Sequence, residues 1–206
     1  MNPRPYRLHQ RKAAAEETRT RILTAVRELL MVRGGFTGFT IDAVARQAGV
    51  ARMTVYYQFG SKVGLLEALC DFLAVRGGIE QLGGVFEKAE ALDALAEFIA
   101  LFARFWDSDR LVIRRLGCLS ALDPELEEVL RGRAERRRQG ARAIVGRLIE
   151  EHGRPLPEAF HEAVDLVYTL TSFETFDTLA GATRSPVEVA PLVQRLLRAA
   201  LGLERY

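Results

Sequence analysis

Apolar residues recur at intervals of three and four along most of the chain, which is the spacing of one face of an α-helix. In the segment 91–106, Leu92, Leu95, Ile99 and Phe102 follow this spacing. No segment alternates apolar and polar residues for long enough to predict a β-strand. The pattern therefore predicts an all-α protein of about nine helices.

Helix-start and helix-stop residues set the expected boundaries. Asp123-Pro124-Glu125 and the capping box formed by Ser185 and Glu188 are strong starts. Between the fourth helix and the fifth, the four glycines of segment 77–85 predict a loop. The expected helices cover about 14–33, 41–48, 52–58, 61–77, 91–106, 110–121, 124–152, 157–180 and 186–201.

The segment 40–62 contains two short amphipathic helices that flank Gly49. Thr40 can cap the first of them, because its hydroxyl can accept a hydrogen bond from an otherwise unpaired backbone N–H. Gly49 tolerates the left-handed conformation that a sharp helix exit requires. Two short helices joined by such a turn are typical of a helix-turn-helix, whose second helix enters the DNA major groove.

Charge is divided unevenly along the 206 residues, although the net charge is only +2. Residues 1–66 carry eleven basic and four acidic side chains, whereas the remainder carries 18 basic and 23 acidic ones. A basic N-terminal third followed by an acidic body is what DNA binding favours, because neutralising phosphates supplies much of the affinity.

The same segment resembles the DNA-binding motif of TetR-family transcriptional repressors. The similarity consists of T-x-x-x-[IV]-A-x-x-A-G-V, then T-[LV]-Y-x-x-F, then [SN]-K, and it runs here from Thr40 to Lys62. It is strong over about residues 18–69. The resemblance implies an N-terminal three-helix DNA-binding domain and a C-terminal helical domain for ligand binding and dimerisation. Ala51 departs from the family, which usually has Ser or Thr there as the N-cap of the recognition helix.

We expect three segments: a flexible basic arm over 1–13, the helix-turn-helix domain over 14–60, and the ligand-binding and dimerisation domain over 61–206. The arm is either a minor-groove contact or a disordered tail. Within the motif, we expect Arg52 and Met53 to read bases, because they lie at the start of the recognition helix. The full predicted DNA-binding set is Thr40, Ala51, Arg52, Met53, Thr54, Tyr56, Tyr57 and Lys62, with Thr40, Thr54, Tyr57 and Lys62 on phosphates.

Aromatic residues in the acidic body suggest a pocket for a small molecule, although such residues also form ordinary cores. Polar residues within the helix predicted over 157–180 repeat at helical spacing, and buried polar groups need partners. The predicted ligand-binding residues are Phe102, Trp106, Asp165, Tyr168 and Ser172.

The last two predicted helices have more apolar positions than one buried face requires, and in the TetR family this region forms a four-helix bundle between subunits. The predicted dimer-interface residues are Phe173, Phe176, Leu192 and Leu196.

A basic run covers residues 131–138 in the longest predicted helix. Three interpretations are open: a second nucleic-acid surface, a site for an anionic ligand, or a solvated helix face with intrahelical partners. The spacing of Glu127, Glu128 and Glu135 favours the solvated face.

Metal, disulfide and catalytic motifs are missing from the sequence. Cys70 and Cys118 form no CxxC pair, and His9, His152 and His161 have no metal-ligand spacing. We therefore expect no cofactor, no metal and no enzymatic activity. No apolar run approaches the roughly 20 residues that span a bilayer, and the polar N-terminus is no secretory signal, so we expect a cytoplasmic protein.

These observations predict a ligand-responsive transcriptional repressor that binds a palindromic operator in double-stranded DNA as a homodimer and is released by a small-molecule effector. One alternative is a helix-turn-helix protein regulated by a protein partner, and a more distant one is a small all-helical enzyme. The effector, the operator and the choice between repression and activation are not written in the sequence.

Overall fold

The computed structural model describes residues 4–32, 40–152 and 160–203. This part of the chain contains eleven α-helices, one short 3₁₀ helix and no strand, which confirms the predicted all-α fold. The 3₁₀ helix, Ile79–Gln81, lies between α4 and α5. The α-helices are α1 Arg4–Met31, α2 Ile41–Ala48, α3 Arg52–Phe59, α4 Lys62–Arg76, α5 Leu82–Phe86, α6 Ala91–Ser108, α7 Arg110–Ser120, α8 Pro124–His152, α9 Phe160–Leu170, α10 Phe173–Ala180 and α11 Pro186–Ala200.

The chain divides into two compact units. The N-terminal unit comprises residues 1–72 and 115–129, and the C-terminal unit comprises residues 73–114 and 130–206. Helix α8 contributes its first residues to the N-terminal unit and the rest to the C-terminal unit. The domain boundaries expected after residues 13 and 60 stay predictions.

Helix α1 begins ten residues earlier than the predicted start at residue 14. Pro5 lies in its first turn, where a missing N–H costs nothing because that donor has no helical partner. The following residues are rich in Arg, Lys, Ala and Glu, which have high helix propensity. The predicted end of this helix at residue 33 lies outside the described residues.

One helix was predicted where the structure has two. Helix α9 ends at Leu170, and α10 begins at Phe173. The hydroxyl of Ser172 accepts a hydrogen bond from the Thr175 N–H at 3.2 Å, so it caps a new helix. The Thr171 hydroxyl donates back to the Val167 carbonyl at 2.7 Å. The predicted start of this segment at residue 157 lies outside the described residues.

The glycine-rich segment 77–85 is partly helical and is not simply a loop. Gly77 allows a close approach to α6, because a Cβ at this position would lie 2.4 Å from Phe105 Cδ2. Val85 is buried against the same unit. The glycines therefore permit tight packing as well as chain reversal.

Two apolar cores follow from the helical periodicity. Ile22, Val26, Val44, Leu65 and Leu69 are completely buried in the N-terminal unit. In the C-terminal unit the largest buried side chains include Phe98 and Phe176. Phe176, which was predicted at the dimer interface, is therefore already enclosed by its own protomer.

Candidate functional site

The helix-turn-helix is held together by local hydrogen bonds and one apolar face. The Thr40 hydroxyl accepts from the Ala43 N–H at 3.1 Å and caps α2, as expected. Gly49 has φ of 64°, the left-handed conformation, and its N–H bonds back to carbonyls of α2. Val55 of α3 is 1% exposed, so α3 is fixed on its inner side.

Helix α3 begins at Arg52 without a side-chain cap, because Ala51 offers no acceptor. An Ala cap costs on the order of 1 kcal/mol against Ser. Met53 is 58% exposed and Tyr57 is 85% exposed, and Arg52 is exposed as well. The outer face of α3 thus presents a guanidinium, a thioether and a phenol. The assignment of these side chains to DNA stays a prediction.

The Arg52 guanidinium has acidic and aromatic neighbours in the free protein. Its Nη1 donates to Asp42 Oδ2 at 3.3 Å, and Nη2 lies 3.4 Å from the Tyr56 hydroxyl. The Tyr56 hydrogen bond, followed by the charge of Asp42, raises the pKa of Arg52. Both members of the ion pair are more than half exposed, so it contributes little stability and can be replaced by a DNA contact.

The C-terminal end of α3 is tied to α1. Arg19 Nη1 donates to the Gln58 carbonyl at 3.1 Å, and its guanidinium lies 4.6 Å from the centre of the Phe59 ring. Gln58 Nε2 donates to the Ala15 carbonyl at 3.2 Å. These contacts fix the C-terminal end of α3 on α1, while Tyr57 in the same turn still faces solvent.

Lys62 has a carboxylate partner that the sequence did not indicate. Its ammonium donates to Asp123, a residue 61 positions later that also caps α8 by accepting from the Glu125 and Leu126 N–H groups. The hydrogen bond from Lys62 lowers the pKa of Asp123. A phosphate that binds Lys62 must therefore compete with Asp123.

Three of the predicted ligand-binding residues are brought together in the C-terminal unit. Phe102 lies 5.8 Å from Trp106 between ring centres. Trp106 Nε1 donates to the Thr171 carbonyl at 3.0 Å. A guanidinium that the sequence analysis had not singled out, that of Arg137, lies 5.9 Å from the centre of the Phe102 ring and 4.1 Å from that of Tyr168.

The other two predicted ligand-binding residues have structural partners. Asp165 is exposed and pairs with Arg138. Ser172 is buried, and its hydroxyl caps α10. Their role in ligand binding stays a prediction.

Arg137 could have been found by extending the apolar stripe of α8 backward. Leu148, Ile144 and Ala141 are completely buried and follow helical spacing, and one further step of four residues leads to Arg137. The neighbouring arginines hid this signal, because the whole basic run was interpreted as a solvated face. That interpretation fits Arg131 and Arg136, which are exposed, and it is wrong for Arg137.

The predicted dimer residues of α10 and α11 differ in exposure. Leu196 is 41% exposed, and Val187 on the same helix is 44% exposed. Phe173 and Leu192 are half-buried. Helix α11 therefore has an apolar surface beyond the face that packs on its own protomer.

Within the described ranges, no three His, Cys, Asp or Glu side chains form a cluster that could hold a metal ion. No described helix is both long enough and apolar enough to cross a membrane.

A family model described as bacterial regulatory proteins, tetR family, matches residues 22–69, which run from α1 through the helix-turn-helix into α4. This chain carries the helix-turn-helix domain of the TetR family. The match confirms the resemblance predicted from the segment 40–62.

Curated TetR-family relatives match this domain. The HTH-type transcriptional regulator SrpR of Pseudomonas putida is 44% identical over 57 residues, which is 28% of this chain and 26% of SrpR. The chain matches between 26 and 45% of the length of the three curated relatives. Because these relatives are transcriptional regulators, they agree with the expectation that the chain is not an enzyme.

Two solved structures share the TetR fold over most of the chain. FadR of Bacillus subtilis, crystallised with stearoyl-CoA, has a TM-score of 0.64 and 21% identity over 88% of this chain and 98% of its own. NalD of Pseudomonas aeruginosa, the secondary repressor of the MexAB-OprM multidrug efflux pump, has a TM-score of 0.67 and 22% identity over 91% of this chain and 97% of its own. At this identity the likeness concerns the fold.

Proposed function

We propose that this TetR-family protein is a homodimeric transcriptional repressor that binds a palindromic operator and is released from it by a small molecule. The proposal is carried by the outer face of α3, where Arg52, Met53 and Tyr57 face solvent while Val55 anchors the helix. An exposed recognition helix on a fixed inner face is the arrangement by which helix-turn-helix proteins read bases.

Arg52 and Met53 are proposed to read base edges, because they lie in the first turn of α3. A guanidinium matches the O6 and N7 acceptors of guanine, and a methionine can touch a thymine methyl group. Thr40, Thr54, Tyr57 and Lys62 are proposed to bind phosphates, and Ala51 and Tyr56 to lie along the same surface.

Dimerisation is proposed to use α10 and α11, because Leu196 and Val187 leave apolar area exposed on α11. Two-fold symmetry would present two α3 helices to two half-sites. The effector is proposed to bind near Phe102, Trp106 and Tyr168. FadR, which shares this fold, was crystallised with a small molecule, and NalD is a repressor.

The base-reading assignment can be tested with Arg52→Ala. Arg46→Ala is the matched control, because Arg46 is an exposed arginine of α2, outside α3. DNA selected from a random pool by the Arg52 variant should lose its preference at one base pair of each half-site, at a cost of roughly 1–3 kcal/mol. The control should keep the wild-type consensus and lower affinity for all sequences alike. An unchanged consensus for Arg52→Ala would show that Arg52 reads no base.

A further inference from the structure

The guanidinium of Arg137 lies inside the C-terminal unit, in an environment that disfavours an isolated charge. Arg137 is 8% exposed, and rings of Tyr168 and Phe102 lie 4.1 Å and 5.9 Å from its Cζ atom. Buried charges in proteins are normally paired with an opposite charge, because removing an ion from water costs several kcal/mol.

Arg137 has only neutral hydrogen-bond acceptors. Its Nη1 donates to the Tyr168 carbonyl and, at 3.1 Å, to the Thr171 hydroxyl. Within the described residues it forms no ion pair with a carboxylate, and these two bonds use only part of its five N–H donors. Burial lowers the pKa of Arg137, although Tyr168 and the charge of Glu174 oppose this effect. The guanidinium therefore has no carboxylate in direct contact and keeps N–H donors that can bind one.

The surroundings of these donors are apolar and partly accessible. Trp106 and Tyr168 are half-buried, whereas Phe102 is buried. Trp106 lies 5.7 Å from Phe173 between ring centres. A ligand that enters here would meet aromatic walls around the Arg137 guanidinium, and a guanidinium binds carboxylates with two parallel hydrogen bonds.

We propose that the effector is an amphipathic organic acid whose carboxylate binds Arg137 and whose apolar body packs on Phe102, Trp106 and Tyr168. This inference rests on the proposed function, since it names the chemical class of that effector. It also assigns one arginine of the basic run 131–138 to an anionic ligand, while Arg138 pairs with Asp165 outside the core.

Arg137 also has contacts that a purely structural residue would make. The Tyr168 carbonyl belongs to the last turn of α9, where a cation is favoured by the helix dipole. If capping were the only role, Arg137→Met would lower the melting temperature of the ligand-free protein. If Arg137 instead serves ligand binding at a cost in stability, Arg137→Met should melt at a temperature equal to or higher than that of the wild type, because methionine is an apolar side chain of similar length.

The binding test compares decanoate with decanol by calorimetric titration of the full chain. Decanoate should bind the wild type roughly 10- to 100-fold more tightly than decanol, and Arg137→Met should abolish this preference while decanol binding is unchanged. Arg138→Met is the matched control, because Arg138 is the adjacent arginine and also stacks on Tyr168, with its Cζ atom 4.9 Å from the ring centre. The control should keep the preference for the acid.

The proposal is overturned if the wild type binds decanoate and decanol equally or binds neither. It is also overturned if the Arg138→Met control loses the preference for decanoate as Arg137→Met does, or if Arg137→Met melts at a lower temperature and keeps that preference.

Failure of the proposed function has a different signature. If decanoate binds through Arg137 but leaves DNA affinity unchanged, the ligand class stands and the regulation fails. If decanol but not decanoate releases DNA, the regulation stands and the ligand class fails.

Discussion

Individual side chains were predictable from the sequence where their partners are close in the chain. The Thr40 cap was found because a capping hydroxyl bonds an N–H three residues later, as it does here. The partner of Lys62 was missed because it lies 61 positions away, and the burial of Arg137 was missed because the neighbouring arginines obscured the apolar stripe of α8. The sequence therefore indicates which kind of group a charged side chain in a motif contacts, but it does not indicate which residue that group belongs to.

The contact between Lys62 and Asp123 leads to a prediction for DNA binding. Asp123→Asn should preserve the cap of α8, since Asn is as good an N-cap as Asp, while it removes the carboxylate that competes for Lys62. Affinity for all DNA sequences should rise by about two- to fivefold, the size expected for a partly exposed ion pair. Fluorescence anisotropy at several salt concentrations measures this change. An affinity that stays the same or falls, with an unchanged melting temperature, would remove Lys62 from the phosphate-binding set.

At the scale of helices, the sequence predicted where helices begin better than whether a long helical segment is interrupted. Ser185 and Glu188 form the expected capping box, and Pro191 lies inside an α11 that continues past it. The break between α9 and α10 was missed because the apolar spacing continues through it, although the cap that Ser172 provides for the Thr175 N–H is as local as that of Thr40. Helix ends without a proline or a glycine are therefore set by hydrogen bonds that the periodicity does not reveal.

Asp177 ties α7 to α10 and gives a prediction for acid stability. It accepts hydrogen bonds from Arg110 Nε at 2.6 Å and from Arg114 Nη2 at 2.6 Å. Burial alone would raise the pKa of Asp177, but the hydrogen bonds from Arg114 and Arg110 outweigh it and lower the pKa. Because the folded-state pKa is depressed, the stabilisation is present above the unfolded value of about 3.9 and is lost as the pH falls through the folded value.

Asp177→Asn should therefore destabilise the protein at neutral pH by about 1–3 kcal/mol. The difference from the wild type should shrink below pH 4, since the wild-type carboxylate is then protonated as well. Urea unfolding at a series of pH values follows both quantities. A difference that does not depend on pH would mean that the ionised carboxylate contributes nothing.

For the whole molecule, composition and charge predicted a basic head and an acidic helical body, and the fold agrees with the division into a helix-turn-helix and further helices. Dimerisation could not be derived from the periodicity, because a buried position and an interface position look alike in sequence. Phe176 and Leu196 illustrate this, since the first is enclosed by its own protomer and the second is 41% exposed.

Leu196→Asp tests the proposed dimer, because it would place an unpaired charge in the interface, where desolvation is costly. Light scattering should show a monomer at micromolar concentration, and operator affinity should fall sharply although the head is untouched. Arg195→Asp, an adjacent exposed position, is the control for the added charge and should remain dimeric. A wild type that is itself monomeric would contradict the proposal.

The most direct test of the central claim is selection of bound DNA from a random duplex pool by the unmodified protein. The account predicts enrichment of a two-fold symmetric site whose half-sites lie about 10 base pairs apart or at a multiple of one helical turn, with a preferred guanine in each half-site opposite Arg52. Enrichment of no sequence, or of a single half-site without symmetry, would contradict it.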